Sequence, residues 1–318
     1  MSAVSALDIQ NLPTPKEERW KYTNLPRALP EGLRLVTDTP ERVIHIPRGE
    51  VCAELEDILW TSENDQHLQP RLKIVLEENA ELHLLERQEG QGAYWKNMVT
   101  EIEVADNAKL VHYRLQNDSA EAVNTNMVSV RVGRGALYEK FSINCGANLS
   151  RHQVHAELTG PGGTCTLNGI NLFADTQHGD TTILIEHQAP NCQSNQDYRT
   201  ILDDTARGVF QGKVHVHQIA QKTDGYQLSN ALLLSEGAEM DTKPELEIYA
   251  DDVRCSHGAT TGRLDETPLF YMRARGIPEA SARRLLLRSF LGEVVDKIED
   301  ESVHNLVDKQ VDQWLSRM

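Results

Sequence analysis

The residues best suited to chemistry in this chain lie in the run Asp251-Asp252-Val253-Arg254-Cys255-Ser256-His257-Gly258-Ala259. A thiol and an imidazole two positions apart at the end of a strand point the same way. Soft sulfur beside a borderline nitrogen suits iron or sulfide handling, whereas Mg²⁺ or Ca²⁺ would take the carboxylates alone. Two ligands do not close a tetrahedral site. The pair is therefore half of a site completed by another subunit, or a small buried Cys beside a turn-bonded His. Because a free thiol ionises only near about pH 8.5, a metal or a cation is needed to hold it as thiolate. His215-x-His217 places two imidazoles on one strand face and awaits a third ligand. Alternating Val and His on a half-solvated strand gives the same pattern without a metal. His152-x-x-His155 is a weaker pair of the same kind.

The motifs that are missing narrow the chemistry. No GxxxxGK[ST] loop, GxSxG, HExxH or complete GxGxxG occurs, so the chain is no P-loop nucleotidase and no nucleotide is expected on it. Gly160-Pro161-Gly162-Gly163 reads as a turn, since no strand-to-helix phosphate context follows it. With 32 basic against 48 acidic residues and a net charge of −16, nucleic acid is excluded as the main partner. The five cysteines are an odd number with no CxxC spacing, which fits neither a disulfide framework nor a zinc ribbon and implies a reducing compartment. The N-terminal stretch lacks a basic start followed by an apolar run, so neither secretion nor a membrane span is expected, and the cytoplasm is the expected location.

The elements that must position these residues are read from periodicity. Thr14, Pro15 and Glu17 write out the cap of a short helix. From Leu25 to Pro70 five prolines break the pattern, which predicts a linker with short strands. From Leu72 a repeat of 28 residues emerges: Ile74, Ile102, Val130 and Leu158 fall in register, as do Leu76, Val104 and Val132. So do Asn79, Asn107, Gly135 and Gly163, then Ala80, Ala108 and Ala136, then Leu82, Leu110 and Tyr138. Each unit is a strand, a tight turn where positive φ is cheap, and a second strand. Such a unit buries its inward face only against the next, which is the logic of a stacked solenoid; a meander of antiparallel hairpins is the alternative. Aromatics at 5% agree with a thin, aliphatic interior. The register fades after Gly169, while strand character runs to about Val253.

The period then changes to helical. Thr267 and Pro268 open a helix that Gly276 closes, and Pro278 opens another. Leu287, Phe290, Leu291, Val294, Val295 and Ile298 form its apolar stripe, and Val303, Leu306, Val307, Val311, Trp314 and Leu315 that of a last helix. Such stripes pack on the chain's own sheet or, in part, dock a partner.

The runs Gln221 to Gln227, Asn230 to Ser235, Pro244 to Thr260 and Leu269 to Ile277, with Trp20-Lys21-Tyr22-Thr23 near the start, resemble the SufB/SufD family of iron-sulfur cluster assembly proteins. Within that family the Cys255-Ser256-His257-Gly258-Ala259 form is similar to SufD rather than SufB. The resemblance implies a right-handed parallel β-helix, mainly β, with a short N-terminal and a longer C-terminal helical segment. It implies pairing with SufB, docking of the SufC ATPase through the C-terminal helices, and a nascent iron-sulfur cluster or iron held transiently at the SufB contact. His257, with Cys255 beside it, would be this chain's contribution there, and Phe290, Leu291 and Val294 would take part in docking SufC. The expected layout is an N-terminal helix and linker over 1–70, a β-helix core over 71–264 and a helical domain over 265–318. The chain is short for the family. The expected role is a non-catalytic scaffold that could also form a homodimer alone. The alternatives are a purely structural partner that positions SufC, and a β-helix enzyme acting on polysaccharide, which the fold alone would allow.

Overall fold

A computed structural model describes residues 6–317, so the first five residues of the 1–70 segment and Met318 lie outside it. Two parallel sheets, of ten and eight strands, wind into a β-solenoid of about eight turns. Trp95–Val104, Val123–Val132, Leu149–Leu158, His178–His187, Arg207–Val216 and Glu239–Ile248 stack in the larger sheet. The strands between them, from Lys109–Asp118 to Arg254–Gly262, stack in the smaller one. Parallel pairing forces each chain segment to cross to the other sheet before returning, so one coil contributes one strand to each.

The stacking explains the repeat and corrects part of it. Ile74 pairs with Ile102 and Ile102 with Val130, each a step of 28 residues. Val130 then pairs with Ala156, and Leu158 stands beside Val132, because the coil between Val123 and Leu149 is two residues shorter. It turns through Gly146 and Ala147, both at positive φ (79° and 59°). The turn column is likewise shifted by one: Asn79, Asn107, Gly135 and Gly162, not Gly163, take positive φ, followed by Asn191 and Lys222. Each amide in that column donates to a carbonyl of the next coil, as Asn107 does to Arg134 and Gly162 to Pro190.

Upstream of Pro70 the chain already joins the stack. Glu41–Ile46 pairs with Arg71–Leu76 and Glu56–Trp60 with Glu81–Glu89. Downstream, pairing continues beyond Val253 to Gly262. The Thr14 cap closes only an isolated turn, with the Glu17 side chain accepting from the Thr14 amide at 3.2 Å; the expected helix is a single 3₁₀ turn, Glu18–Trp20, whose N-cap Glu17 makes no side-chain capping bond. The segment acts as a strap. Trp20 is buried under the Arg151 guanidinium (4.0 Å), Arg151 pairs with Asp180 and donates to the Arg19 carbonyl at 2.7 Å, and the Thr23 hydroxyl reaches Asp180.

Helices α1 (Leu25–Ala28), α2 (Glu266–Ala274), α3 (Glu279–Val295) and α4 (Glu301–Leu315) complete the chain. Asp265, not Thr267, caps α2, and Asp300 caps α4. The stripes of α3 and α4 cover the outer face of the smaller sheet: Leu287, Leu291, Val294, Val303, Val307 and Val311 pack on Val111, Tyr113, Phe141, Ile143, Ile170 and Leu172. Leu291 and Val294 are at most 1% exposed, so neither offers surface to a docking partner. Phe290 is half-buried, with Arg199 5.7 Å from its ring. Among the described residues no helix is long and apolar enough to cross a membrane.

A packing role for this stripe carries a definite magnitude. Leu291→Ala is expected to lower unfolding stability by ~2–5 kcal/mol, as large-to-small changes in closed cores do, measured by urea denaturation. A loss under half a kilocalorie would mean that the helix rests loosely on the sheet.

Candidate functional site

The interior of the solenoid is divided lengthwise. One half is aliphatic, filled by Ile74, Leu76, Ile102, Val130, Val154 and their neighbours. The other is polar and charged although fully buried: Glu86, Lys96, His112, Arg114, Asp118, Lys140 and His152 are at most 4% exposed. His112 Nε2 meets Glu86 at 3.0 Å, and Lys96 meets Asp118 at 2.8 Å. Burial pushes the Glu86 carboxyl up, but the His112 bond and the Arg114 and Lys140 charges outweigh it and hold the group down at about 2. The inward carboxylates Glu86 and Asp118 face three cations, Lys96, Arg114 and Lys140, so one positive charge is in excess. Lys140 is that excess. Its ammonium has no hydrogen-bond partner, and burial, reinforced by Arg114 and opposed by Glu86, pulls it down to about 7. Burial, together with Lys140 and Arg114, holds His152 far below the ordinary imidazole value, so it is neutral.

Parallel register carries this polar half to one end of the molecule. His112 pairs with Lys140, Lys140 with Leu167, Leu167 with Gln196, Gln196 with Gln227, and Gln227 with His257. The adjacent row runs Leu110, Tyr138, Cys165, Ser194, Gly225, Cys255. Cys255 and His257 thus occupy inward positions, as two residues of equal parity on a strand must. No further coil stacks on them, because Arg254–Gly262 and Glu239–Ile248 are the last strands of their sheets. His257 is consequently exposed, whereas its partner Gln227 is fully buried with neither amide atom bonded.

Cys255 is half-buried against Val214, Val216, Ala220 and Ala250. Burial, with some help from Asp224, pushes its thiol up despite the Gly225 amide that favours the thiolate. The lone thiol is therefore protonated at neutral pH, and a bound metal would have to displace the proton. Among the described residues, the groupings of His, Cys, Asp and Glu able to hold a metal include neither Cys255 nor His257. The two expected residues occupy neighbouring inward positions at the open end, and among the described residues no third ligand joins them. His215 and His217 lie elsewhere, on the outside of the larger sheet, and His152 and His155 are separated, the first inward and the second outward.

The fold and this end together define a class: a parallel β-solenoid with a helical cover on one sheet and a last rung left open, carrying a thiol and an imidazole at inward positions. Residues 59–290 match the SufBD core domain of the SUF system for FeS cluster assembly. The chain is 36% identical over 241 residues to an iron-sulfur cluster assembly SufBD family protein of Synechocystis, covering 73% of this chain and 53% of that one. It is 36% identical over 214 residues to the iron-sulfur cluster assembly protein SufD of Escherichia coli (67% and 51%), and 36% over 242 residues to the chloroplastic protein ABCI7 of Arabidopsis thaliana (74% and 50%). The chain belongs to the SufBD family, and it spans about half the length of these relatives.

The unpaired interior lysine gives a prediction with a fixed sign. Between about 7 and the ordinary lysine value of 10.5 the unfolded chain holds a proton that the folded chain has lost, so this group makes stability rise with pH across that window. Lys140→Met is expected to stabilise the protein by ~1–4 kcal/mol at neutral pH and to flatten that rise, measured by urea denaturation at several pH values. A Met variant that is less stable and keeps the slope would mean that an internal partner holds the ammonium.

Proposed function

We propose that the chain is a SufD-like scaffold subunit in iron-sulfur cluster assembly, that it pairs with SufB through its last rung, and that it docks the SufC ATPase through its helical segment. The observation that carries this reading is the open rung, which sets Cys255 and His257 side by side at inward positions with no further ligand from the same chain. A partner solenoid meeting strand Arg254–Gly262 would extend the sheet by backbone pairing and could add the missing ligands. Iron or the nascent cluster is then cargo at the junction. No residue here is assigned acid, base or nucleophile work, and ATP hydrolysis falls to SufC. Five free cysteines support a reducing compartment, the cytoplasm. In isolation two copies could meet at the same rung.

Docking of SufC must use residues other than Leu291 and Val294. Exposed apolar surface in the helical segment is concentrated at Phe270 (72% exposed), Tyr271 (59%) and Leu285 (51%). Phe270→Ala is expected to weaken SufC binding by ~10-fold or more while leaving thermal stability unchanged, measured by calorimetric titration. Unchanged affinity would move the contact off α2.

The ligand role is tested by anaerobic reconstitution with SufB and SufC. His257→Ala is expected to leave the complex assembled and to reduce cluster absorbance by ~10-fold, with Cys255→Ala reducing it as well. If both variants assemble and load cluster normally, the chain is a structural partner that positions SufC and contributes no ligand. Should His257→Ala fail to assemble, His257→Gln, which keeps the side-chain volume and a hydrogen-bonding end, separates pairing from ligation.

A further inference from the structure

The larger sheet carries on its outer face a cluster that the open rung does not use. Parallel register places Glu157 beside Glu186, Glu186 beside His215, and His155 beside Leu184, two positions away. The ladder brings residues from three coils, far apart in sequence, within ligand distance of one another. His155 Nε2 lies 2.9 Å from one oxygen of Glu186, and His215 Nδ1 lies 3.2 Å from the other. His217, just past the strand, points its Nε2 at that second oxygen from 3.8 Å. The ligand atoms of Glu186, His215 and His217 all fall within 4.8 Å of one another.

From this geometry we infer that Glu186, His215 and His217 form a binding site for a divalent first-row transition metal, with His155 holding the carboxylate from the far side. Two borderline nitrogens and one hard oxygen on one side of the ion suit Zn²⁺ or Fe²⁺, and leave positions open for water or an incoming ligand. Metal bonds of about 2.0–2.2 Å put neighbouring ligand atoms of a tetrahedron roughly 3.3–3.6 Å apart. The separations here bracket that range, so little movement is needed to close on an ion. A second observation is independent of the spacing. His217 Nε2 is shielded from water and has no hydrogen-bond partner, and 3.8 Å is too long for one to Glu186. A metal between them would satisfy both.

The surroundings keep the triad available. The other oxygen of Glu186 is fixed by His155, a carboxylate–histidine contact of the kind that orients ligands. Although burial pushes Glu186 up, the His155 and His215 bonds keep it below the usual carboxylate range and therefore ionised. The His215 ring packs on His217, with centroids 4.4 Å apart, and against the edge of Tyr249 at 5.7 Å. Glu247, the next residue in the ladder, is already engaged by Lys213 and by the Tyr249 hydroxyl at 2.6 Å, so it does not compete for the ion. A groove of about 470 Å³, walled on one side by Glu18 and Arg19 of the N-terminal strap, opens beside Glu186 and His215.

The test uses the full chain, stripped with a chelator and titrated anaerobically with Zn²⁺, Co²⁺ and Fe²⁺, with Mg²⁺ as the hard-cation control. The wild type is expected to bind one equivalent of Zn²⁺ or Co²⁺, to gain thermal stability on binding, and to show cobalt ligand-field bands without thiolate charge transfer. The last feature separates this site from Cys255. Glu186→Gln and His217→Ala are expected to lose the bands and the thermal shift, and His155→Ala to weaken binding by ~10–100-fold. His45→Ala, which breaks the exposed His45–Glu77 pair elsewhere on the surface, leaves binding unchanged. The inference is overturned if the wild type binds no stoichiometric metal, if Glu186→Gln and His217→Ala both bind as well as wild type, or if thiolate charge transfer dominates the spectrum. All these readouts are taken without SufB or SufC, so their outcome is separate from that of cluster loading.

Discussion

Every coil of this protein has an inward face that only another coil can cover, and the parallel register between coils decides what covers what. A two-sheet solenoid gives each inward side chain one neighbour above and one below. An aliphatic row such as Ile74, Ile102, Val130 and Ala156 becomes a continuous core strip, and a polar row becomes a chain of groups with the same two neighbours available to each. The rule also determines where the structure must fail. At the last rung there is no neighbour above, so residues that are buried in every earlier coil become accessible there. Cys255 and His257 are inward by parity and open by position.

Lys140 apart, the charged half of the interior is held by pairing rather than by solvation. His112 with Glu86 and Lys96 with Asp118 form contacts that an exposed surface would leave worth very little, and that burial makes costly to break. Such pairs are weak evidence for stability but strong determinants of register, since a slip of one position would turn each charge from its partner to the outside. Outside the sheet, the strap performs a similar fixing role. Trp20 and Thr23, part of the motif that first suggested the family, close over Arg151 and Asp180, which are themselves buried. In the structure that motif is packing.

What the sequence made legible follows from how long the coils stay equal. The step of 28 residues holds over Ile74, Ile102 and Val130, and there the rows are right in full. It misplaces Leu158 and Gly163, because turns between strands change length freely while strand pairing does not. Periodicity is sensitive to both. The last rung was legible because Cys255 and His257 sit two apart on one strand, a local relation. The cluster at Glu186 was not, since Glu186 and the His215-x-His217 pair come from different coils, and His215-x-His217 alone lacked the acidic neighbour that only the ladder supplies. The helical stripe was legible as apolar but not as to its target. Amphipathic periodicity is the same whether a helix covers its own sheet or another chain, and burial of Leu291 and Val294 decides for the former.

The two strands that end the solenoid differ in a way that bears on how it meets another chain. Glu239–Ile248 carries Pro244, which lacks an amide to donate, and an outward row of Glu239, Asp241, Lys243, Glu245 and Glu247. Charges and proline on an edge strand are the means by which sheets avoid unwanted pairing. Arg254–Gly262 has neither a proline nor any formally charged residue other than its first, and its composition of Ser, Gly, Ala and Thr leaves the backbone approachable. One edge of the open end is therefore guarded and the other permissive. An incoming strand would be directed to the side that carries Cys255 and His257, so under the proposed reading backbone pairing and ligand placement would be selected by the same asymmetry. A partner that entered along the guarded strand would meet the outward carboxylates instead, which in a chain of net charge −16 disfavours a second acidic surface.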